Sequence, residues 1–227
     1  MSYYYQENRR GPFSNVPPVT KNLILVNILI FIATAFNENF MIGTFGLFYP
    51  SSPYFHWWQV ITHMFMHGGF WHIFFNMYTL FIFGVVVERI IGSKKFALFY
   101  FVCGLGAAAL QIGTQYIEMQ AFISAGAADS IAALKATPTV GASGAIYGVL
   151  IGYAMLFPDS KMTLLFPPIT LSAKWMVIIF AAIELFTGVI GWVDGVAHFA
   201  HLGGMLIGWL MIRWWRRRGV LFDRDRL

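Results

Sequence analysis

Three short stretches carry polar side chains in apolar surroundings. They are Thr62-His63-Met64-Phe65-Met66-His67-Gly68-Gly69-Phe70-Trp71-His72-Ile73-Phe74-Phe75-Asn76, Gly141-Ala142-Ser143-Gly144-Ala145-Ile146-Tyr147-Gly148, and Val196-Ala197-His198-Phe199-Ala200-His201-Leu202-Gly203-Gly204. A serine and an imidazole brought within reach of each other are a nucleophile and its general base. His72 and Asn76 are four apart, so on a helix they share a face and offer two side-chain donors toward a developing oxyanion. A helix starting at Ser143 leaves backbone N–H groups free there, that of Ser143 included. Gly141 and Gly144 flank the serine and remove side chains that would block an approaching substrate backbone. No Asp or Glu is placed obviously behind His201, so the reading is a Ser143–His201 dyad whose imidazole is oriented by packing, with Tyr147 as the candidate neighbour.

His198 and His201 both compete for the role of base. Gly144, Gly148 and Gly152 form a small-residue ridge, and Gly204 with Gly208 forms a GxxxG step. Such steps let helix backbones approach closely. His201 sits directly above the Gly204–Gly208 stripe and Ser143 beside the facing ridge, which selects His201. His198 is nearly a turn higher, toward the external surface.

The elements that must hold these groups are membrane spans. Of 227 residues 58% are hydrophobic and 11% charged, against about 25% charged in a soluble domain. Apolar runs fall at about 22–36, 70–90, 95–116, 141–157, 172–191 and 196–214, which predicts an all-α polytopic bundle of six transmembrane helices. The fourth is short and is expected to start in a recess below the surface. With the N-terminus inside, Arg9, Arg10, Lys21, Arg89, Lys94, Lys95, Lys161, Lys174, Arg213, Arg216, Arg217, Arg218, Arg224 and Arg226 are all cytoplasmic, and only Lys135 is outside. Spans two, four and six then run inward, so His72, Ser143 and His201 share one membrane level by parity. Residues 1–21 lack a signal-peptide pattern and read as a cytoplasmic segment, 22–214 as the six-helix domain and 215–227 as a basic cytoplasmic tail. Residues 37–69 form an aromatic-rich external connection expected at the interface, and 117–140 a second whose Ala121–Ala136 part suits a short helix. The basic residues sit at span ends, as anchors toward lipid rather than as a nucleic-acid surface. Cys103 alone supports neither a disulfide nor a thiolate metal cluster.

In these residues the chain resembles the rhomboid family of intramembrane serine proteases over about residues 22–214. Three motifs agree in order: His63, His67, His72 and Asn76; Gly141 to Gly144; and Ala200-His201 ahead of Gly204 and Gly208. Glu88-Arg89 also resembles the family pattern. The resemblance implies a rhomboid-like six-helix bundle with Ser143 as nucleophile, His201 as base, His72 and Asn76 on the oxyanion side and Tyr147 stacked on His201. It further implies transmembrane protein substrates cut near the extracytoplasmic face, no metal or cofactor, and a bacterial inner membrane, while the charge bias puts both termini in the cytoplasm. Two departures stand out. Trp58-Gln59 replaces the Trp-Arg common in the family's first external loop, so the anchoring role of that arginine is missing. The connection before Ser143 is also longer than the family's compact form.

Other polar residues have plainer readings. His63 and His67 are four apart, but Met64 stands where a zinc protease's catalytic glutamate would be; His67 is read as a hydrogen-bonding structural residue and His63 as interfacial. Glu184 is costly in the fifth span and is either paired, facing a water cavity or tuning the helix. A His-lined metal-ion transporter using His63, His67, His72, His198 and His201 lacks the buried carboxylates such sites carry, apart from Glu184. A rhomboid-like client binder that does not cut is disfavoured by the presence of both Ser143 and His201. Single cysteines in a Cys103→Ser background test the topology. Position 130 is expected to label from outside and position 160 from inside, and the reverse pattern would place the Ser143 level on the cytoplasmic side.

Overall fold

The first helix, α1 (Pro18–Phe36), opens with Pro18 in its first turn and has no side-chain cap of its own. The cap comes from the far end of the second span. Glu88, 1% exposed, accepts the Val19 N–H at 3.0 Å and the Thr20 N–H at 2.7 Å. A carboxylate at a helix N-terminus satisfies orphan donors and complements the dipole. Arg89 beside it donates to the Asn15 carbonyl at 2.6 Å. The Glu88-Arg89 pair is therefore the clasp between the first two spans.

The computed structural model describes residues 15–164, 167–190 and 197–221. Arg9, Arg10, Val196, Arg224 and Arg226 lie outside the described residues. After α1 come α2 (Glu38–Phe45), α3 (Gln59–Thr62) and a 3₁₀ turn at His63–Phe65. Helix α4 (Phe70–Thr79) starts directly after Gly68-Gly69, where the break was expected. It continues through a π-helical turn at Leu80–Gly84 into α5 (Val85–Ile91), so Phe70–Ile91 is one apolar span. Gly92, at φ 83°, turns the chain at once into α6 (Ser93–Ser124).

Helix α6 is 32 residues long and outruns the expected 95–116. Beyond Gly113 no glycine or proline interrupts it until Gly126, at φ 66°. The connection that follows is shorter in consequence than 117–140, and its alanine-rich part forms the expected short helix, α7 (Ala128–Ala136). Helix α8 (Ser143–Leu156) ends just before Pro158, and a small antiparallel hairpin follows, β1 (Lys161–Thr163) with β2 (Thr170–Ser172). The fold ends with α9 (Ala173–Ile190) and α10 (His198–Arg217). The hairpin was not foreseen.

Among the described residues, four helices are long and apolar enough to cross a membrane alone: Pro18–Phe36, Phe70–Ile91, Ser93–Ser124 and Ala173–Ile190. Helix α8 has 14 residues, about 21 Å of rise against about 30 Å of hydrocarbon. It is enclosed by α6, α9 and α10. The all-α polytopic bundle is the architecture expected.

The centre is a backbone-to-backbone contact between α8 and α10. A Cβ added at Gly204 would lie 1.8 Å from the Gly144 carbonyl oxygen, and one at Gly208 2.9 Å from that of Gly148. Gly152 abuts the Phe99 ring, and Gly148 abuts Cys103, on α6. No side chain larger than hydrogen fits at 204.

The connections at 37–69 and 125–142 are tied to each other at the Ser143 end of this centre. Leu47 and Thr139 exchange backbone hydrogen bonds at 2.9 and 2.8 Å, and Ser52 Oγ donates to the Lys135 carbonyl at 2.6 Å. Gln59, fully buried, accepts from the Phe48 and His56 N–H groups at 3.4 and 3.1 Å and donates to the Thr44 and Tyr54 carbonyls at 3.3 and 2.9 Å. The anchoring that Trp58-Gln59 was expected to lack is thus supplied by an uncharged amide. Of the loop's aromatics, Phe40, Tyr54 and Trp57 face outward as an interfacial surface requires, whereas Phe48 and Tyr49 are buried.

Two histidines depart from expectation. His63 is buried rather than interfacial, with Nδ1 2.8 Å from the Gln59 carbonyl. His67 is also buried, with no in-line hydrogen bond at either ring nitrogen among the described residues, and the Phe65 backbone is its polar neighbour. Burial pushes His63 down to about 4. Burial and then neighbouring His72 push His67 down to about 3, with the Phe65 backbone acting weakly the other way.

Three outcomes follow. Gln59→Leu strands three backbone groups, since the Thr44 carbonyl keeps the Trp58 Nε1–H, and should cost about 2 kcal/mol or more, and Gly204→Ala, which forces α8 and α10 apart, about 3 kcal/mol; both are read from thermal unfolding in detergent. Because His63 and His67 are held neutral, the unfolded chain binds more protons below its pKa of about 6.5. Stability should therefore be full above that pH and fall as pH drops toward 4, and a midpoint unchanged from pH 7 to 4 would contradict the burial.

Candidate active site

Ser143 is the first residue of α8, whose N-cap residue Ala142 offers no side-chain cap. The first N–H to find an intrahelical partner is that of Ile146, bonded to the Ala142 carbonyl. Ser143, Gly144 and Ala145 thus keep outward-facing amides, as the start of a helix requires. The approach to this turn is fixed by Gly141, whose φ of 129° is a conformation side chains rarely adopt. Its N–H donates to the His63 carbonyl at 2.9 Å, and a Cβ there would meet His72 Nε2 at 2.7 Å. Glycine at 141 is demanded twice, by the backbone and by the imidazole beside it.

Across the α8–α10 contact, His201 Nε2 lies 2.8 Å from Ser143 Oγ. Tyr147, one turn beyond Ser143, stacks on the His201 ring at 4.2 Å between centroids and 7° between planes. His201 is 8% exposed, so it is nearly enclosed. A hydroxyl bonded to an imidazole nitrogen is a pair that can exchange a proton.

Behind His201 stands a carboxylate, which corrects the expectation of an imidazole held by packing alone. Glu184 Oε1 is 2.9 Å from His201 Nδ1 and accepts the Tyr147 hydroxyl at 2.5 Å. Its other oxygen, Oε2, is 2.6 Å from His198 Nδ1, which also lies 3.1 Å from Thr187 Oγ1. The contact to His201 Nδ1 is close but off the N–H axis, since Nδ1 makes no in-line hydrogen bond. Of the three readings open for Glu184, the structure shows the paired one. His198 faces the carboxylate.

The other predicted side chains converge on the same space. His72 Nδ1 accepts the Gly68 N–H at 3.4 Å, which leaves the neutral ring's proton on Nε2, beside Gly141. Asn76 Nδ2 is buried with no hydrogen-bond partner among the described residues. Ser143, His201, His72 and Asn76 all line one cavity of about 1000 Å³ that runs between α4, α6 and α7. His67 packs edge-on behind His72, at 5.0 Å and 70°. Gly144, Gly204 and Gly208 contribute by what they lack, in the close contact already described. Among the described residues no group of three or more His, Cys, Asp or Glu side chains is arranged to hold a metal ion.

Two residues were missed in their working positions. Glu184 had a signal: a fifth span antiparallel to the fourth puts residue 184 about 9 Å from Ile190 at about 1.5 Å per residue, near the end that meets the start of α8. Gln59 had none beyond its place in the loop.

A family model described as the Rhomboid domain matches residues 54–218. Rhomboid protease AarA of Providencia stuartii is 32% identical over 162 residues, covering 68% of this chain and 54% of that protein. RHOMBOID-like protein 6, mitochondrial, of Arabidopsis thaliana is 30% identical over 154 residues, 68% of this chain and 42% of its own. Putative rhomboid protease YdcA of Bacillus subtilis is 28% identical over 163 residues, 71% of each. The chain thus spans about half the length of the first two. The match takes in Ser143, His201, His72 and Asn76, which line one cavity, and the chain belongs to the rhomboid family of multi-pass membrane proteins, a family of intramembrane proteases.

Proposed function

We propose that this protein is an active intramembrane serine endopeptidase with residues 22–214 as the protease unit, 1–21 and 215–227 as flanking segments, and both termini in the cytoplasm of a bacterial cell. The observation that carries the reading is the 2.8 Å contact between Ser143 Oγ and His201 Nε2 across two helices. In the reaction His201 Nε2 takes the Ser143 hydroxyl proton as Oγ attacks the scissile carbonyl carbon. The carbonyl oxygen becomes an oxyanion, met by the Ser143 N–H, His72 Nε2–H and Asn76 Nδ2–H. The unpaired Asn76 amide supports this, since a buried donor with no partner is costly unless a ligand supplies one. His201 then gives its proton to the leaving amine as the C–N bond breaks. A water entering through the cavity repeats the sequence on the acyl ester, with His201 again as base, and returns Ser143 with a free carboxylic product.

Substrates are transmembrane segments of other proteins. A helical segment hides its carbonyls in its own hydrogen bonds, so residues that weaken a helix near the external face favour cleavage. Lipid surrounds the exposed apolar faces of α1, α4 and α9, and the basic end of α10 anchors in the interface.

The test is cleavage of a model membrane substrate together with labelling by a fluorophosphonate. Ser143→Ala should abolish both while leaving the thermal midpoint in place; retained turnover would end the reading. His201→Ala should eliminate both, whereas His198→Ala keeps measurable activity, because His198 faces Glu184 and not Ser143. Losing His72 or Asn76 should slow turnover by roughly a hundredfold to a thousandfold. The opposite ranking of the two sixth-span histidines would mean that the proton passes through His198.

A further inference from the structure

A carboxylate within a span is costly to keep, so one that is kept is expected to have partners. Glu184 is 7% exposed and has them from every element packed against it: Tyr147 on α8, Thr187 on its own helix through His198, and His198 and His201 on α10. An ionised carboxylate only accepts hydrogen bonds. Both imidazoles therefore face it with a nitrogen that must carry the hydrogen, and in each case that nitrogen is Nδ1. A neutral His201 bearing its proton on Nδ1 presents a bare lone pair at Nε2, 2.8 Å from Ser143 Oγ. That is the only neutral tautomer able to receive the serine proton. In the alternative, Nε2–H donates to Oγ and there is no base.

We propose that Glu184 is a positioning residue for His201, holding the Nδ1–H tautomer and compensating the imidazolium that forms when Nε2 takes the Ser143 proton. The inference rests on the reading of Ser143 and His201 as nucleophile and base. Because Oε1 approaches Nδ1 off the N–H axis and is shared with the Tyr147 hydroxyl, the carboxylate works as much through its charge as through a directed bond. Tyr147 completes the arrangement from the other side: its ring stacks on the imidazole while its hydroxyl steadies the same oxygen. His198 holds the second carboxylate oxygen and so keeps Glu184 from turning away.

Leucine at 184 suits a membrane helix, removes both charge and acceptor, and leaves the serine and histidine in place. Glu184→Leu should lower kcat on a model membrane substrate about 10²- to 10⁴-fold, with KM changed by less than about threefold. Glu184→Asp should restore part of the rate, and Glu184→Gln, which keeps an acceptor without charge, should fall between. In the unmutated protein, ¹⁵N-histidine NMR should show His201 protonated on Nδ1 and bare on Nε2, and Glu184→Leu should populate the other tautomer. A kcat for Glu184→Leu within about threefold of the unmutated value, or an Nε2–H tautomer in the unmutated protein, would overturn the proposal. If Glu184→Leu does not fold, the tautomer in the unmutated protein decides. Should the unmutated protein fail to label at Ser143 while His201 still shows Nδ1–H, the protease reading falls and the Glu184 contact stands as structure alone.

Discussion

The contact that everything else leans on is the touching of two helix backbones at Gly144 and Gly204. There is no hydrophobic force between helices inside lipid, so association depends on close packing and polar contacts. Here the Gly144 carbonyl oxygen occupies the space a side chain at 204 would need, at 1.8 Å from the missing Cβ. Ser143 stands one residue before that contact and His201 one turn above it, so the same approach that binds α8 to α10 sets the hydroxyl against the imidazole. Structure and chemistry share one cause, and a separation of the helices by one methyl group acts on both.

Around this contact the fold solves a second problem, which is how to keep polar groups in an apolar medium. Three buried groups show the solution: each is met by several partners rather than one. Glu88 caps α1, Gln59 closes the first external loop, and Glu184 meets Tyr147, His198 and His201. Several other buried polar atoms have no partner among the described residues, among them Thr20 Oγ1, Tyr100 OH and Gln111 Oε1, and two cases near the cavity are informative. Asn76 Nδ2 is buried and unpaired beside the cavity, where an incoming carbonyl oxygen is the natural partner. His67 makes no in-line hydrogen bond either, but it lies behind His72, where burial holds it neutral and it serves as packing.

Much of this was legible in the sequence because glycine spacing and span parity are strong constraints. Three spans that share one direction put His72, Ser143 and His201 at one level, and the ridges at Gly144–Gly148 and Gly204–Gly208 chose which helices touch. The choice of His201 over His198 followed from the same register. What was not legible depended on contacts between segments with no shared period. The partners of Glu184 come from α8 and α10, and nothing in the α9 sequence specifies which neighbours it faces. Gln59 looked like a lost arginine because one residue type was compared, whereas its amide can both donate and accept and so closes the loop without charge. The length of α6 was underestimated because polar residues past 116 ended the apolar run without ending the helix. The short hairpin at 161–172 joins α8 to α9 through backbone pairing that leaves no clear mark in so few residues.

The central claim is that the α8–α10 contact makes Ser143 a nucleophile. Its most direct measurement is peptide mapping by mass spectrometry of the unmutated protein, reconstituted in lipid vesicles and treated with a fluorophosphonate. A single adduct on the peptide containing Ser143 is the expected result. An adduct on another serine, or none on a protein shown to be folded, would contradict it.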